Sequence, residues 1–235
     1  MNHKIVSHDK WIEARKELLA KEKEFTRLRD KLSQQRRDLP WERVDKTYVF
    51  DGSGGAQTLA QLFAGMSQLI VYHFMFAPDW DMGCRSCSFW ADNFNGIHIH
   101  LKHRDISFVA ISRAPLAKID AYKKRMGWSF KWLSSAGTDF NYDFFASFTP
   151  EEISNVSAYW NYRNQRPIDT DVVGISVFYK NSEEQLFHTY SCYQRGVDMM
   201  NGAYHYIDLT PKGRDEAEQK PHAQAWVRRH DEYPD

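Results

Sequence analysis

A chain of 235 residues with 31 Lys and Arg against 31 Asp and Glu has no formal net charge, which excludes a protein whose main partner is the nucleic-acid backbone. Its 42% hydrophobic and 15% aromatic content excludes a disordered chain, and the length allows one large domain or two small ones with a substantial core. Three cysteines cannot make a disulfide framework, and two of them, Cys84 and Cys87, form a close pair.

Met1 to Trp11 lacks the apolar run of a secretory signal, and the longest apolar stretch, Leu69 to Pro78, is too short to span a bilayer. The expectation is a cytoplasmic protein with neither membrane nor nucleic acid as partner. In a reducing compartment a close Cys pair points to catalysis or metal binding rather than to a permanent bridge.

Residues 8 to 38 read as one long charged helix, because Trp11, Leu18, Phe25 and Leu32 recur every seven residues with Ala14 and Leu28 in the second seam position. Lys21 interrupts the seam, so the stripe is expected to pack on its own domain, with dimerisation as its other use. Pro40 ends the helix. Lys46 to Phe50 reads as a strand, Asp51 to Gly55 as a turn, and Thr58 to Phe63 as a short helix ending at Gly65. No Gly-Lys-Ser/Thr follows the Gly-rich turn, so it is a hairpin or connector rather than a phosphate loop.

The continuous apolar run Leu69 to Phe76 predicts a strand buried on both faces. A loop from Ala77 to Gly83 leads to Cys84-Arg85-Ser86-Cys87 and a helical stretch. Asp105 to Ser112 is a second buried strand, Pro115 to Met126 a helix closed by Gly127, and Phe130 to Ser134 a third strand. This order predicts an α/β fold with a partly parallel sheet. Residues 137 to 171 are irregular in signal, with a helix start at Thr149-Pro150-Glu151-Glu152. Gly174 to Lys180 and Gln185 to Ser191 read as a hairpin, a short helix follows near Val197 to Asn201, and the tail from Lys212 is polar apart from Trp226 and Val227.

A Cys-x-x-Cys after a buried strand and at a helix start has a mechanical reading. The unpaired N–H groups and dipole of the helix stabilise a thiolate at Cys84, and Cys87, one turn later, reaches it to close a disulfide. Cys84 is then the nucleophile and Cys87 the resolving thiol, with Arg85 adding positive potential. This chemistry needs no cofactor. Zinc is the rival use: His98, His100 and His103 follow the pair, although their spacing departs from the finger pattern and no hairpin precedes the helix. Asp79 and Asp81 read as loop acids near enough to move protons or as plain solvated acids. Trp80, Phe89 and Trp90 read as an apolar docking rim or as core. His73 reads as a satisfied core residue, and Cys192 as a buried inert thiol.

Several stretches resemble a known family. They are Trp11 to Arg15, Leu39-Pro40-Trp41, Gln68 to Phe76, Gly83-Cys84-x-Ser86-Cys87-Ser88-Phe89-Trp90-Ala91-Asp92, Ser112 to Leu116, Asp139 to Phe144, Phe187 to Tyr190 and Asp208 to Arg214. Nearly the whole chain resembles the uncharacterised thioredoxin-like family described as predicted dithiol–disulfide oxidoreductases, a domain of unknown function. The resemblance implies a thioredoxin-like mixed sheet flanked by helices, with an added helix over residues 1–40, the domain over 41–211 and a polar tail over 212–235. It also implies dithiol–disulfide exchange at Cys84 and Cys87 on a protein or small-molecule disulfide, supported by Arg85, Ser86, Asp81, Trp80 and Trp90, with no metal. Three departures from thioredoxins and peroxiredoxins stand out. Pro78 occupies the place of the thioredoxin buried acid, no cis-proline candidate lies near Asp171 to Ile175, and Asp81 stands where peroxiredoxins carry a hydroxyl. Thiol peroxidase activity and a non-enzymatic scaffold role are the alternative functions.

Overall fold

The computed structural model describes residues 3–155 and 158–234. Met1, Asn2, Val156, Ser157 and Asp235, at the chain ends and in the stretch of irregular signal, lie outside the described residues. The chain divides into two units, Met1–Pro40 and Trp41–Asp235.

The first unit is one helix, α1 (His8–Arg37), with Asp9 in its first turn and Arg36 and Arg37 in its last, the signs that complement a helix dipole. Arg15 and Glu22 pair along one face at 2.8 Å. No side chain of α1 is buried, and Trp11, Leu18, Phe25, Leu28 and Leu32 are all exposed. The seven-residue stripe forms as a helix.

In the second unit β1 (Glu42–Arg43) precedes the hairpin of β2 (Val49–Gly52) and β3 (Gly55–Thr58). That hairpin replaces the earlier strand start expected at Lys46. Thr58 caps α2 (Leu59–Leu62) through a reciprocal capping box with Gln61. There follow β4 (Gln68–His73), α3 (Arg85–Ala91), α4 (Ile97–Lys102), β5 (Ile106–Ser112), α5 (Leu116–Arg125) and β6 (Lys131–Ser134). The remaining elements are α6 (Phe140–Asp143), α7 (Pro150–Ser154), β7 (Ala158–Trp160), β8 (Arg163–Gln165), β9 (Gly174–Lys180), β10 (Leu186–Tyr193), a 3₁₀ turn (Gln194–Met200) and α8 (Gly202–Ile207).

One sheet runs in the order β1-β10-β9-β4-β5-β6-β2-β3. β4, β5 and β6 are parallel, joined by α3 and α4 and then by α5, while β9 lies antiparallel to β4 and pairs with β10 as a hairpin. Parallel strands beside an antiparallel hairpin, with helices between the parallel strands, make the thioredoxin-like mixed sheet. β7 and β8 form a separate hairpin.

Both faces of the central strand are covered, which explains its unbroken apolar run. Tyr72, Phe74 and Phe76 enter one core with Cys87, Trp90 and Phe94, behind α3, and Tyr122 of α5. Leu69 and Val71 enter the other, with Phe50, Leu62, Phe140 and Phe178. The strand ends at His73, earlier than its apolar composition suggests. Beyond it the Phe74 N–H donates to the Ile111 carbonyl at 2.9 Å and the Ala114 N–H to the Phe76 carbonyl at 2.7 Å, so residues 74–76 run on as a buried connector.

Candidate active site: the Cys84–Cys87 turn

The loop after the buried connector folds back, and the Cys84 N–H donates to the Met75 carbonyl at 3.0 Å. This places the start of α3 at the C-terminal end of β4, with Cys84 as the N-cap residue. Lys118 holds the loop by donating to the carbonyls of Pro78 and Trp80 at 3.0 and 2.9 Å. Ser88 locks the first turn, since its backbone N–H and its hydroxyl both donate to the Cys84 carbonyl, at 3.0 and 2.8 Å. The Ser88 hydroxyl also meets the Tyr122 hydroxyl at 2.8 Å.

The far end of the chain completes this frame. Arg229 is buried, and its guanidinium donates to the Gly83 carbonyl and to the Tyr122 hydroxyl, both at 2.7 Å. Glu232 balances its charge at 3.0 Å. His230 meets Asp92 at 2.7 Å, and Arg125 of α5 pairs with Asp231 and Glu232. The stretch expected as a polar tail therefore carries buried Val227 and Arg229 and frames the turn. Gly83 is required by close approach: a Cβ there would lie 2.7 Å from a Phe74 ring carbon and 2.9 Å from one of Tyr122.

All three cysteines are thiols outside any disulfide, Cys84 half-buried and Cys87 and Cys192 buried. The Cys84 thiol is pulled down to about 7. The Cys87 thiol, donating to it, is the largest cause, while the N–H groups of Cys87 and Ser86 also lower it, approaching the sulfur without closing a full capping bond. Burial and the negative charge of Asp169 oppose this. The Cys87 thiol moves the other way, pushed up first by burial and then by its bond to Cys84. The Met75 N–H, 3.5 Å from the Cys87 sulfur, favours its thiolate, as does the nearby Tyr72 hydroxyl. One sulfur is thus poised to ionise near neutral pH while its neighbour holds its proton.

The supporting residues expected around the pair divide. Ser86 lies in the first turn with its N–H toward Cys84. Arg85 is exposed in the first turn of α3. Asp81 and Asp79 are exposed in the loop, and Trp80 is half-buried against the core. Trp90 is buried with its indole N–H on the Val197 carbonyl at 2.8 Å and packs in the core behind the pair. Cys192 donates to the Gly196 carbonyl at 3.4 Å. His98 and His100 belong to α4 and His103 caps its end, and among the described residues no group of three or more His, Cys, Asp or Glu is placed to hold a metal ion.

His73 is buried and meets the Ser176 hydroxyl at 2.9 Å. From there a chain of hydrogen bonds runs through Ser191 at 2.9 Å and His188 at 2.7 Å to the exposed Glu42 at 3.3 Å. Burial, and then the neighbouring His188, lowers the His73 pKa to about 3. His73 Nδ1 has no partner among the described residues.

A cavity of about 250 Å³ adjoins the pair, with Ser86 and Cys87 in one wall and Tyr72, Met75, Trp90 and Val197 behind. Ile168 and Val173, on the segment leading into β9, close another side. That segment is anchored inward: Asp171, buried, pairs with Arg113 and the Ser147 hydroxyl at 2.7 Å each. The Phe148 N–H donates to the Thr170 carbonyl at 3.0 Å and the Val172 N–H to the Ala146 carbonyl at 2.9 Å. Tyr72, Met75, Arg113, Asp169 and Arg229 carry no local motif that marks them. Only the position of Tyr72 and Met75 on the chain just before the pair hints at their role.

Solved structures similar in outline include Peroxidoxin BcpB from Mycobacterium tuberculosis, 13% identical over 72% of this chain and 97% of its own, with a TM-score of 0.44. Peroxiredoxin Q from Xanthomonas campestris is 14% identical over 71% of this chain and 96% of its own, TM-score 0.47. The yeast mitochondrial 1-Cys peroxiredoxin is 12% identical over 69% and 73%, TM-score 0.40. No curated protein matches the chain. The family model described as bacterial protein of unknown function (DUF899) matches residues 1–233, and the chain belongs to that family.

Proposed function

We propose that the protein is a thiol–disulfide oxidoreductase in which Cys84 is the nucleophile and Cys87 the resolving thiol. The observation that carries this reading is the asymmetry of the pair. Cys84 is half-buried at a helix start and ionises near pH 7, whereas Cys87 is buried beside it and keeps its proton. In the reaction the Cys84 thiolate attacks a substrate disulfide, and loss of its negative charge removes one of the causes that hold the Cys87 pKa high. Cys87 then attacks the Cys84 sulfur and releases the second thiol. Dithiol work of this kind belongs to a reducing compartment, and among the described residues no helix is long and apolar enough to cross a membrane.

The test is equilibration of the protein against glutathione buffers, with peptide mapping of the product. A reversible Cys84–Cys87 disulfide with one defined potential, lost in Cys84→Ser, is the expected result. A pair that stays reduced in oxidised buffer, or that oxidises only to sulfinic acid, contradicts the reading.

A further inference from the structure

We infer that the cavity beside Cys87 is a binding site for a small organic disulfide whose substituent is apolar, of ring size, and carries a hydrogen-bond acceptor. The inference rests on the dithiol reading above and names its substrate class.

Three observations lead to it. First, the cavity of about 250 Å³ has Cys87 in its wall and an apolar back of Tyr72, Met75, Trp90 and Val197, with Arg195 and Asp198 on its polar side. A cavity of roughly 150 Å³ with apolar walls takes up benzene, so this one has room for a ring and a short arm. Second, the Tyr72 hydroxyl in that wall is fully buried, and no oxygen or nitrogen partner reaches it among the described residues. Its polar neighbour is the Cys87 thiol, and sulfur is a weak acceptor. A buried hydroxyl so placed is destabilising, and an acceptor atom on the ligand supplies what the protein leaves open. Third, the segment leading into β9, which brings Ile168 and Val173 to the cavity wall, is fixed beforehand, because its Thr170 carbonyl and Val172 N–H are committed to residues 146–148.

The exchange balances within one turnover. The Cys84 thiolate attacks one sulfur of the substrate, a Cys84–substrate disulfide forms, and the other half leaves as a thiolate. Cys87 gives its proton to that thiolate and attacks the Cys84 sulfur. The Cys84–Cys87 disulfide forms, the second half leaves, and it takes a proton from solvent. Two electrons pass from the dithiol to the substrate, and two thiols are released.

The experiment uses the reduced full-length protein and two matched probes. One is the mixed disulfide of 4-methoxybenzyl thiol and 2-hydroxyethanethiol, and the other is its non-reducible thioether, with bis(2-hydroxyethyl) disulfide as the polar comparator. After normalisation to a free small dithiol, the aromatic disulfide is expected to react about tenfold faster than the comparator. The thioether is expected to bind saturably by calorimetric titration. Both preferences should fall in Val197→Trp, which fills the cavity, and in Val173→Phe, a milder filling should the first variant fail to fold. Tyr72→Phe should weaken the methoxybenzyl thioether and leave a methylbenzyl analogue as it was. Absence of thioether binding, or binding that survives both filling variants, overturns the cavity assignment whatever the rates of exchange. Failure of the dithiol chemistry shows differently, as saturable thioether binding with no turnover of the disulfide.

Discussion

The guanidinium of Arg229 donates to the carbonyl of Gly83 at 2.7 Å, across 146 positions of the chain, and Gly83 immediately precedes Cys84. The same side chain reaches Tyr122, whose hydroxyl meets Ser88, whose hydroxyl in turn donates to the Cys84 carbonyl. Both backbone flanks of the nucleophile are therefore held by one connected set of polar groups. Arg229→Met would leave the Gly83 carbonyl unpaired and Glu232 without its buried partner. A loss of about 2–4 kcal/mol is expected in urea unfolding, together with slower alkylation of Cys84.

Gly83 itself admits no side chain. In Gly83→Ala the new methyl would overlap the Phe74 and Tyr122 rings, which are packed in the core and cannot swing away. A loss of about 1–3 kcal/mol is expected by the same unfolding measurement. A variant as stable as the parent would mean that the loop has room to move.

Half-buried Arg113 and buried Asp171 pair at 2.7 Å and anchor the segment carrying Asp169 and Val173 beside the cysteines. Arg113→Met leaves Asp171 as an uncompensated buried carboxylate, one of whose oxygens already has no partner among the described residues. The expected loss is about 3–5 kcal/mol, and Asp171→Asn combined with Arg113→Met should recover part of it.

His73 makes stability depend on pH. Its folded pKa of about 3 lies below the unfolded value near 6.5, so the folded protein keeps the ring neutral while the unfolded chain takes up a proton. The contribution is complete above the unfolded pKa and declines as pH falls through this window toward about 3. Its slope reaches about 1.4 kcal/mol per pH unit. Unfolding free energies measured from pH 7 to pH 4 should show this slope, and His73→Phe should remove it.

Much of the fold was legible because its signals are local. The run from Leu69, the capping box at Thr149 and the polar turn between β9 and β10 each state their structure within a few residues, and the same strand-to-helix context placed Cys84 at a helix start. What stayed hidden depends on distance or direction. Arg229 sits in a charged stretch whose composition reads as solvated, and only its meeting with Gly83 makes it part of the site. Tyr72 and Met75 read as core apolar residues, whereas the polar atoms that face Cys87 are a phenol and a backbone N–H. Adjacency in sequence pointed to Arg85 beside the thiolate, whereas the two N–H groups and the Cys87 thiol that lower the Cys84 pKa become visible only once the turn is folded. The heptad stripe of α1 carried the helix itself, since spacing specifies a face.

The central claim is the ionisation of Cys84, and the pH dependence of its alkylation by iodoacetamide tests it most directly, read by mass spectrometry of the Cys84 peptide beside a Cys87→Ala control, which removes the donor. An inflection near pH 7 that moves upward when Cys87 is replaced is the predicted result, because the Cys87 thiol is the largest cause of the lowering. An inflection at the ordinary thiol value of about 8.5, unchanged in Cys87→Ala, would contradict it.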